Sequence, residues 1–338
     1  MIFLENISLK PFNSFGIDCA AHYFVTVATI NELNEALDFA HKKDLPFLII
    51  GGGSNILFTR NYEGVVIQNK LCSIELINED ENYYYVKAGA GEVWHQFVEY
   101  CIDNYYSGVE NLSLIPGSVG AAPMQNIGAY GVELKDVFSS LDALEISTRT
   151  IKTFNLDDCE FGYRESVFKT SLKNQYIILF VSFKLAKKPK FNIDYGAIKT
   201  ELEKMNCTNL SAKAISQAVI NIRTYKLPNP KEIGNAGSFF KNPIITLKQL
   251  EKIKNEFPEV PFYSSTNNSV KMAAGWLIEQ CGWKGFRNKD YGCHTKQALV
   301  LLNYGNATGK EIYNLSSEIK QSVFEKFGIE LEREVNII

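Results

Sequence analysis

The sequence lacks the features that mark several large classes of protein. It has 35 basic against 38 acidic residues, so no basic excess exists to drive sequence-independent binding of nucleic acid. Its longest apolar runs, such as Tyr176–Val181, have the length of a strand and are far shorter than a membrane span. Residues Met1–Lys10 show no cleavable signal pattern. We therefore expect a cytoplasmic protein that binds neither nucleic acid nor membranes.

Cysteines at the spacing of a metal site or a disulfide framework are also missing. The chain has 7 cysteines, an odd number that cannot all pair within one chain. No CxxC occurs, and no Cys/His spacing resembles a zinc site. These counts predict reduced, mostly buried thiols and no metal site.

What is present is the composition of a globular protein of enzyme size. The 338 residues are 46% hydrophobic and 22% charged, which excludes a disordered chain. This length exceeds one ordinary core and predicts two or three domains.

Apolar spacing predicts helices alternating with strands. Thr29 and Glu32 form a capping box that opens a helix over 29–41, and Thr308 with Glu311 opens another over 308–327. Further helices are predicted over 92–104, 211–225, 246–257 and 269–281. Strands are predicted over 47–50, 65–68, 83–88, 141–146, 151–155, 176–185, 298–303 and 329–338. The order indicates an α+β chain with a C-terminal α/β unit.

Two glycine-rich segments carry the first chemical signal. Gly51, Gly52, Gly53, Ser54 and Asn55 follow a buried strand, and glycines let backbone N–H groups approach a phosphate. The pattern is neither a P-loop nor a dinucleotide fingerprint, and taken alone it is equally typical of a tight connection between strands.

The second segment, Ile115–Gly131, contains four glycines, two prolines and no charged residue. Surface loops are normally polar and charged, so this composition favours a segment that passes close to a ligand, with a packed crossover as the alternative. The two segments together favour a large cofactor that carries a pyrophosphate.

Six motifs in order then resemble the UDP-N-acetylenolpyruvoylglucosamine reductase family, also called MurB, over nearly the whole chain. They are Pro11–Gly16, Gly51–Asn55, Ile115–Gly131, Gly162–Lys169, Gly234–Pro243 and Leu331–Val335.

The resemblance implies an FAD-binding fold of the vanillyl-alcohol-oxidase (PCMH) type in two subdomains, plus a C-terminal α/β substrate-binding domain. The expected boundaries are 1–68, 69–210 and 211–338, with the last domain partly packed back on the FAD domain. The implied cofactors are noncovalent FAD and NADPH, the latter as co-substrate. We expect a monomer that acts on a UDP-sugar.

The reaction implied by the resemblance is reduction of UDP-N-acetylglucosamine enolpyruvate to UDP-N-acetylmuramate, a step of bacterial peptidoglycan synthesis. Arg164, Ser238 and Glu334 match the family's catalytic residues: a cation facing the substrate carboxylate, a proton donor, and a carboxylate that supports the intermediate. Without the family, each has an ordinary alternative: a surface ion pair of Arg164 with Glu165, a turn serine and a polar strand residue.

The expected ligand contacts also follow the family motifs. For the cofactor they are Gly51, Gly52, Gly53, Ser54, Asn55, Pro116, Gly117, Ser118, Gly120, Ala121, Asn126, Gly128 and Gly131. For the substrate they are Tyr163, Tyr195, Lys226, Asn242 and Gln297. Tyr195 lies where one subtype of the family carries a tyrosine loop over the substrate's diphosphate.

Two other functions stay open from the residues alone. One is a flavin oxidase of the same fold with another substrate, against which the C-terminal motifs argue. The other is a non-catalytic flavin- or sugar-nucleotide-binding protein, against which the joint presence of Arg164, Ser238 and Glu334 argues.

Overall fold

The computed structural model describes residues 1–264 and 268–338, and in them helices and strands are mixed along the chain. The helices are α1 (Ile30–Lys42), α2 (Trp94–Asp103), α3 (Ile198–Lys204), α4 (Ala212–Lys226), α5 (Leu247–Glu256), α6 (Ala274–Gln280) and α7 (Gly309–Phe327).

The strands of the N-terminal two thirds are β1 (Leu4–Ser8), β2 (Ala20–Val27), β3 (Phe47–Ile50), β4 (Ile56–Leu57), β5 (Tyr62–Asn69), β6 (Ile74–Glu79), β7 (Tyr83–Gly89), β8 (Gly128–Ala129), β9 (Val132–Glu133), β10 (Phe138–Glu145), β11 (Ile151–Asn155) and β12 (Tyr176–Ala186). Those that follow are β13 (Ile244–Thr246), β14 (Phe262–Ser264), β15 (Ser269–Met272), β16 (Arg287–Asn288), β17 (Tyr291–Cys293), β18 (Leu301–Asn303) and β19 (Asn336–Ile337).

Both predicted capping boxes are confirmed. The N–H of Glu32 donates to the Thr29 hydroxyl at 3.1 Å, while the Glu32 carboxylate accepts the N–H of Thr29 at 3.1 Å. The same reciprocal pair joins Thr308 and Glu311 at the start of α7. Such pairs satisfy N–H groups that would otherwise lack partners, so these helices begin where the sequence predicts.

The predicted helix over 269–281 is wrong in its first part. Ser269–Met272 forms β15, which pairs antiparallel with both β13 and β14, and only Ala274–Gln280 is helical. Strand pairing on both sides satisfies the backbone of these residues and overrides their helical spacing. The predicted terminal strand over 329–338 is likewise reduced to Asn336–Ile337.

The chain divides into two compact units. Unit 1 comprises Met1–Ile7, Ala21–Gly52 and Glu63–Tyr225, and unit 2 comprises Ser8–Ala20, Gly53–Tyr62 and Lys226–Ile338. The division into three domains at 68/69 and 210/211 stays a prediction.

Unit 1 is built on two sheets. One has the strand order β1-β2-β5-β3, with β3 and β5 parallel, and the other is the antiparallel sheet β11-β10-β12-β7-β6. Buried residues of α1 pack on the first sheet, and α2 packs on the second, where the rings of Phe97 and Phe183 lie 4.4 Å apart. The core of this second sheet also contains side chains of the segment Ile115–Gly131, which we call the uncharged segment: those of Val119, Ala122 and Ile127. The uncharged segment is therefore anchored by its own buried residues.

Unit 2 contains the small sheets β13-β15-β14 and β16-β17-β18 and the parallel pair β4-β19. Helix α7 packs against α6 and against β17 and β18. None of the helices in residues 1–264 and 268–338 combines the length and the apolar character that crossing a bilayer requires.

Candidate active site

The two glycine-rich segments meet in unit 1. A Cβ added to Gly51 would overlap the Ser118 hydroxyl, and a Cβ added to Gly52 would lie 3.8 Å from the Cα of Gly117. A side chain on Gly51 would therefore displace Ser118, whereas a Cβ on Gly52 would only reach van der Waals contact with Gly117. The contact forms a cradle lined by backbone, which fits the pyrophosphate of a dinucleotide cofactor.

The loop that carries Gly117 and Ser118 is tied to the start of α2. The carbonyl of Gly117 accepts the N–H of Trp94 at 3.0 Å, and the N–H of Val119 donates to Glu92 O at 2.9 Å. Gly120 donates to Ala90 O at 3.0 Å, and a Cβ at Gly120 would overlap the methyl of Ala90. Backbone hydrogen bonds therefore contribute to the position of Gly117–Gly120 at the start of α2.

Side-chain amides hold the far end of the segment. Asn111, which is 1% exposed, donates to Tyr130 O at 2.9 Å and to Asn192 O at 2.8 Å. The amide of Asn192 donates in turn to Gly131 O at 3.0 Å. A Cβ on Gly131 would lie 3.1 Å from the Cβ of Tyr195, so the predicted substrate residue Tyr195 stands beside this end, with 46% of its surface exposed.

Arg164 occupies a tight turn in unit 1. The N–H and C=O groups of Gly162 and Glu165 pair across the turn, and Arg164 has a φ of 56°, which non-glycine residues rarely adopt. Its Nη2 donates to Gly128 O at 2.9 Å, and its Cζ lies 5.7 Å from the ring centre of Tyr163. The guanidinium therefore lies at the uncharged segment, with two predicted ligand residues, Tyr163 and Gly128, beside it.

Two further hydrogen bonds dock this turn. Asn126, fully buried, donates to Gly162 O at 3.0 Å and to the Glu133 carboxylate at 3.0 Å, and it accepts the N–H of Lys135. The hydroxyl of Ser166 donates to Met124 O at 2.7 Å. Asn126 is a predicted cofactor residue, and the structure uses its side chain to attach the turn of Arg164 to the uncharged segment.

A second partly buried cation, Arg223 on α4, neighbours this region. Burial lowers its pKa, the Tyr130 hydroxyl raises it, and the positive charge of Arg164 lowers it again. Within the part of the chain that the structure describes, the Arg223 guanidinium makes one hydrogen bond, from Nε to Leu114 O, and no ion pair. The guanidinium groups of Arg164 and Arg223 therefore make this part of unit 1 positively charged, which suits an anionic ligand.

In unit 2, Ser238 lies between two extended segments. It forms an antiparallel bridge with Val300, and the next residue, Phe239, donates to Leu299 O at 2.8 Å and accepts the N–H of Glu334 at 2.8 Å. Ser238 is exposed while Phe239 and Phe240 are buried. The structure thus brings the predicted residues Ser238 and Glu334 onto neighbouring segments.

The Glu334 segment is also fastened to the end of the first glycine-rich segment. Asn55 Nδ2 donates to Glu334 O at 3.2 Å, and Asn336 donates to Asn55 O with both its backbone and its side-chain nitrogen. Gly53 has a φ of 62°, and a Cβ there would overlap Phe12 O. Gly53, Ser54 and Asn55 therefore lie in unit 2, whereas Gly51 and Gly52 lie in unit 1.

The remaining predicted residues are found as follows. Asn242 Oδ1 accepts the N–H of Ala274 at 2.9 Å, and Gln297 Oε1 lies against Gly275, so both meet the first turn of α6. Lys226 is the exposed last residue of α4. Pro116 and Ala121 are exposed positions of the uncharged segment.

Sequence reasoning missed the residues that support the site. Asn235, 2% exposed, donates to the carbonyls of Pro228 and Ile233 and accepts the N–H of Gly237, and so shapes the chain leading to Ser238. Asn111 likewise holds the backbone at Tyr130, because its amide donates to the carbonyl of that residue. Their partners are distant in sequence or lie in loops, and no local pattern marks such a contact.

The cysteines are free, and burial keeps several of them inert. It raises the pKa of Cys19 to about 11, with Asp18 adding to the rise, and that of Cys293 to about 12. Thiols with such values carry almost no thiolate at neutral pH, so they are not nucleophiles.

Two family models match the chain. The FAD binding domain matches residues 21–155, and the C-terminal domain of UDP-N-acetylenolpyruvoylglucosamine reductase matches residues 229–338. The reductase of Amoebophilus asiaticus is 53% identical over 99% of this chain and 98% of its own, and that of Flavobacterium johnsoniae is 51% identical over 99% of both.

Solved structures share the fold. The UDP-N-acetylenolpyruvylglucosamine reductase (MurB) of Thermus caldophilus superposes with a TM-score of 0.68 at 23% identity and covers 99% of both chains. Cholesterol oxidase from B. sterolicum superposes with a TM-score of 0.51 at 12% identity, over 98% of this chain and 85% of the other.

The fold and the curated relatives together define the class: an FAD-containing oxidoreductase with the fold of the vanillyl-alcohol-oxidase type. The full-length similarity to curated reductases is more specific than the fold. The chain belongs to the UDP-N-acetylenolpyruvoylglucosamine reductase (MurB) family.

Proposed function

We propose that the protein reduces UDP-N-acetylglucosamine enolpyruvate to UDP-N-acetylmuramate with NADPH, through FAD. The observation that carries the proposal is the pairing of Glu334 with the Ser238–Phe239 segment in unit 2, in a chain 53% identical to a curated reductase. FAD, which the two glycine-rich segments would hold, would supply the hydride chemistry: transfer from NADPH to the flavin, and from flavin N5 to the methylene carbon of the enolpyruvyl group.

The cradle where Gly51 and Gly52 meet Gly117 and Ser118 supports FAD binding, because a bulky pyrophosphate needs backbone N–H groups without side chains in front of them. Gly53, Ser54, Asn55 and the remaining predicted positions of the uncharged segment would complete the cofactor contacts.

Arg164 would face the substrate carboxylate. Addition of a hydride to the enolpyruvyl group delocalises negative charge into that carboxylate, and a cation held in place stabilises this charge as it develops. The φ of 56° and the hydrogen bond to Gly128 O support the role, since both hold the guanidinium before the substrate arrives.

Ser238 would donate the proton to the carbon next to the one that receives the hydride. Its exposure next to the buried Phe239 and Phe240 supports a hydroxyl that faces an open site. Glu334, on the adjoining segment, would support the enol-like intermediate.

Five other residues would bind the substrate: Tyr163, Tyr195, Lys226, Asn242 and Gln297. Tyr195 suits the diphosphate because it is exposed beside Gly131. Lys226 would provide a positive charge for a phosphate of the substrate or of NADPH. The proposed setting is peptidoglycan synthesis in the cytoplasm, with consequences for cell shape and division, and the proposed active form is a monomer.

An anaerobic two-step titration tests this function. NADPH should bleach the flavin absorbance of the purified protein, and UDP-N-acetylglucosamine enolpyruvate should then restore it without oxygen. If the colour returns only with oxygen, the protein is a flavin oxidase. If NADPH does not bleach the flavin, the proposal is overturned.

A further inference from the structure

The uncharged segment begins at a strained leucine. Leu114, the residue just before Ile115–Gly131, has a φ of 58°. A side chain with a Cβ is unfavourable in this left-handed region, which glycine adopts readily. Strained residues persist only where their surroundings hold them, and they cluster at functional sites.

Two side chains hold both polar groups of Leu114. Its N–H donates to Nδ1 of His95 on α2 at 3.1 Å, and its carbonyl accepts Nε of Arg223 on α4 at 3.2 Å. We call these two hydrogen bonds the Leu114 clamp. Two further contacts attach the chain just before Leu114 to the same helices. Trp94 Nε1 on α2 donates to Leu112 O at 2.9 Å, and the hydroxyls of Ser113 and of Ser216 on α4 lie 2.8 Å apart.

We propose that His95 and Arg223 are positioning residues for the cofactor: by fixing Leu114, they set the path of the uncharged segment against FAD. This inference rests on the proposed contact between that segment and FAD. Loss of either hydrogen bond would let the strained leucine relax and would displace Gly117 and Ser118, three and four residues further along the chain.

The clamp is sensitive to pH because His95 accepts a hydrogen bond with Nδ1, which must then be unprotonated. Burial lowers the pKa of His95 below its ordinary value, the Glu99 carboxylate raises it, and the positive charge of Arg223 lowers it. Glu99 lies on α2 with its Oε1 3.7 Å from Nε2, Arg223 lies on α4, and the segment Ile115–Gly131 contributes no charge. The clamp is therefore closed at neutral pH and opens as acidification protonates His95.

The other end of the segment provides a matched control. There Asn111 and Asn192 hold Tyr130 and Gly131 through amide groups, which do not titrate. Loosening that end should weaken FAD binding without changing its pH dependence.

Release of FAD from the holoenzyme, followed as flavin fluorescence recovers on dilution, tests the clamp between about pH 5 and 8. His95→Ala should release FAD about tenfold faster at neutral pH, as expected for one lost hydrogen bond. His95→Asn places an amide oxygen near the position of Nδ1, so it should stay close to the wild type at neutral pH and lose the acid-induced acceleration. Asn192→Ala should release FAD faster and keep the pH profile of the wild type.

The clamp is overturned if His95→Ala releases FAD at the wild-type rate, or if His95→Asn keeps the wild-type acid profile. Should His95→Ala fail to fold, the His95→Asn profile decides alone. A wild-type protein that holds FAD and completes both half-reactions keeps the proposed function intact in either case. A wild-type protein without FAD overturns that function instead.

A second variant links the effect to backbone strain. Leu114→Gly removes the strain, so adding His95→Ala to it should accelerate FAD release less than His95→Ala does in the wild type. Equal acceleration in both backgrounds would mean that His95 does not act through Leu114.

Discussion

Arg164 and Ser238 are held in two different ways. In unit 1 the turn of Arg164 is docked by side chains: Asn126, Ser166 and the guanidinium itself bind backbone carbonyls. In unit 2 the Ser238 segment is held by main-chain hydrogen bonds to Leu299 and Glu334. A main-chain ladder survives changes of neighbouring side chains, whereas a set of side-chain bonds does not. The surroundings of Arg164 should therefore tolerate substitution less than those of Ser238.

The largest expected effect comes from the proposed proton donor. Ser238→Ala removes one hydroxyl without disturbing the ladder, so reoxidation of reduced flavin by the enolpyruvyl substrate should slow by about 10²–10⁴-fold. Reduction of the flavin by NADPH should stay near the wild-type rate in stopped-flow absorbance. Ser8→Ala, which removes a surface hydroxyl of the same unit, serves as control. Equal slowing of both half-reactions would contradict the role of Ser238.

Arg164→Ala should come next, slowing the second half-reaction by about 10²–10³-fold, because one charge-stabilising donor is lost. Arg164→Lys keeps the charge and loses the hydrogen-bonding geometry of the guanidinium, so its rate should fall between those of Arg164→Ala and the wild type. Single-turnover measurements separate the half-reactions. An Arg164→Ala rate equal to that of the wild type would remove this residue from the mechanism.

Asn126→Ala tests the side-chain docking directly. It leaves the carbonyl of Gly162 and the N–H of Lys135, both part-buried, without their partner and puts alanine at a φ of 43°, so the free energy of unfolding should fall by about 2 kcal/mol. Asn126→Gly keeps the backbone unstrained and loses only the hydrogen bonds, so the difference between the variants isolates the strain. Urea unfolding gives both values. A loss below about 1 kcal/mol in both variants would show that Asn126 does not hold the turn.

The smallest effect is expected beside Ser238. Lys241 donates its N–H to Glu332 O at 2.9 Å, and its Nζ lies 2.5 Å from the carboxylate of Glu332, whose side chain is 68% exposed. Water reaches the carboxylate, but the Lys241 side chain is only 10% exposed, so Glu332→Ala leaves a largely buried cation without its partner. The free energy of unfolding should fall by about 1–2 kcal/mol, and both half-reactions should stay unchanged. A large fall in the rate of the second half-reaction would mean that the main-chain hydrogen bonds of the Ser238 segment depend on the Glu332 side chain.

Local signals predicted the parts of the fold that depend on neighbours in sequence. The capping boxes at Thr29 and Thr308 are examples, since both partners lie within one helical turn. The predicted helix at Ser269–Met272 failed because its backbone bonds go to strands outside the segment. The residue roles came from motifs, and the structure brings Ser238 to Glu334 in unit 2 and Arg164 to the uncharged segment in unit 1.

The sequence by itself determined the class of the molecule: its glycines, its ordered motifs and its uncharged segment identify the family, and they predict the residues that carry chemistry. Tertiary structure alone decided how those residues are held. Asn126, Asn235, His95 and Arg223 act through hydrogen bonds to backbone groups whose identity the sequence does not encode, because every residue presents the same N–H and C=O. Only the folded path of the chain selects which of those groups each side chain meets.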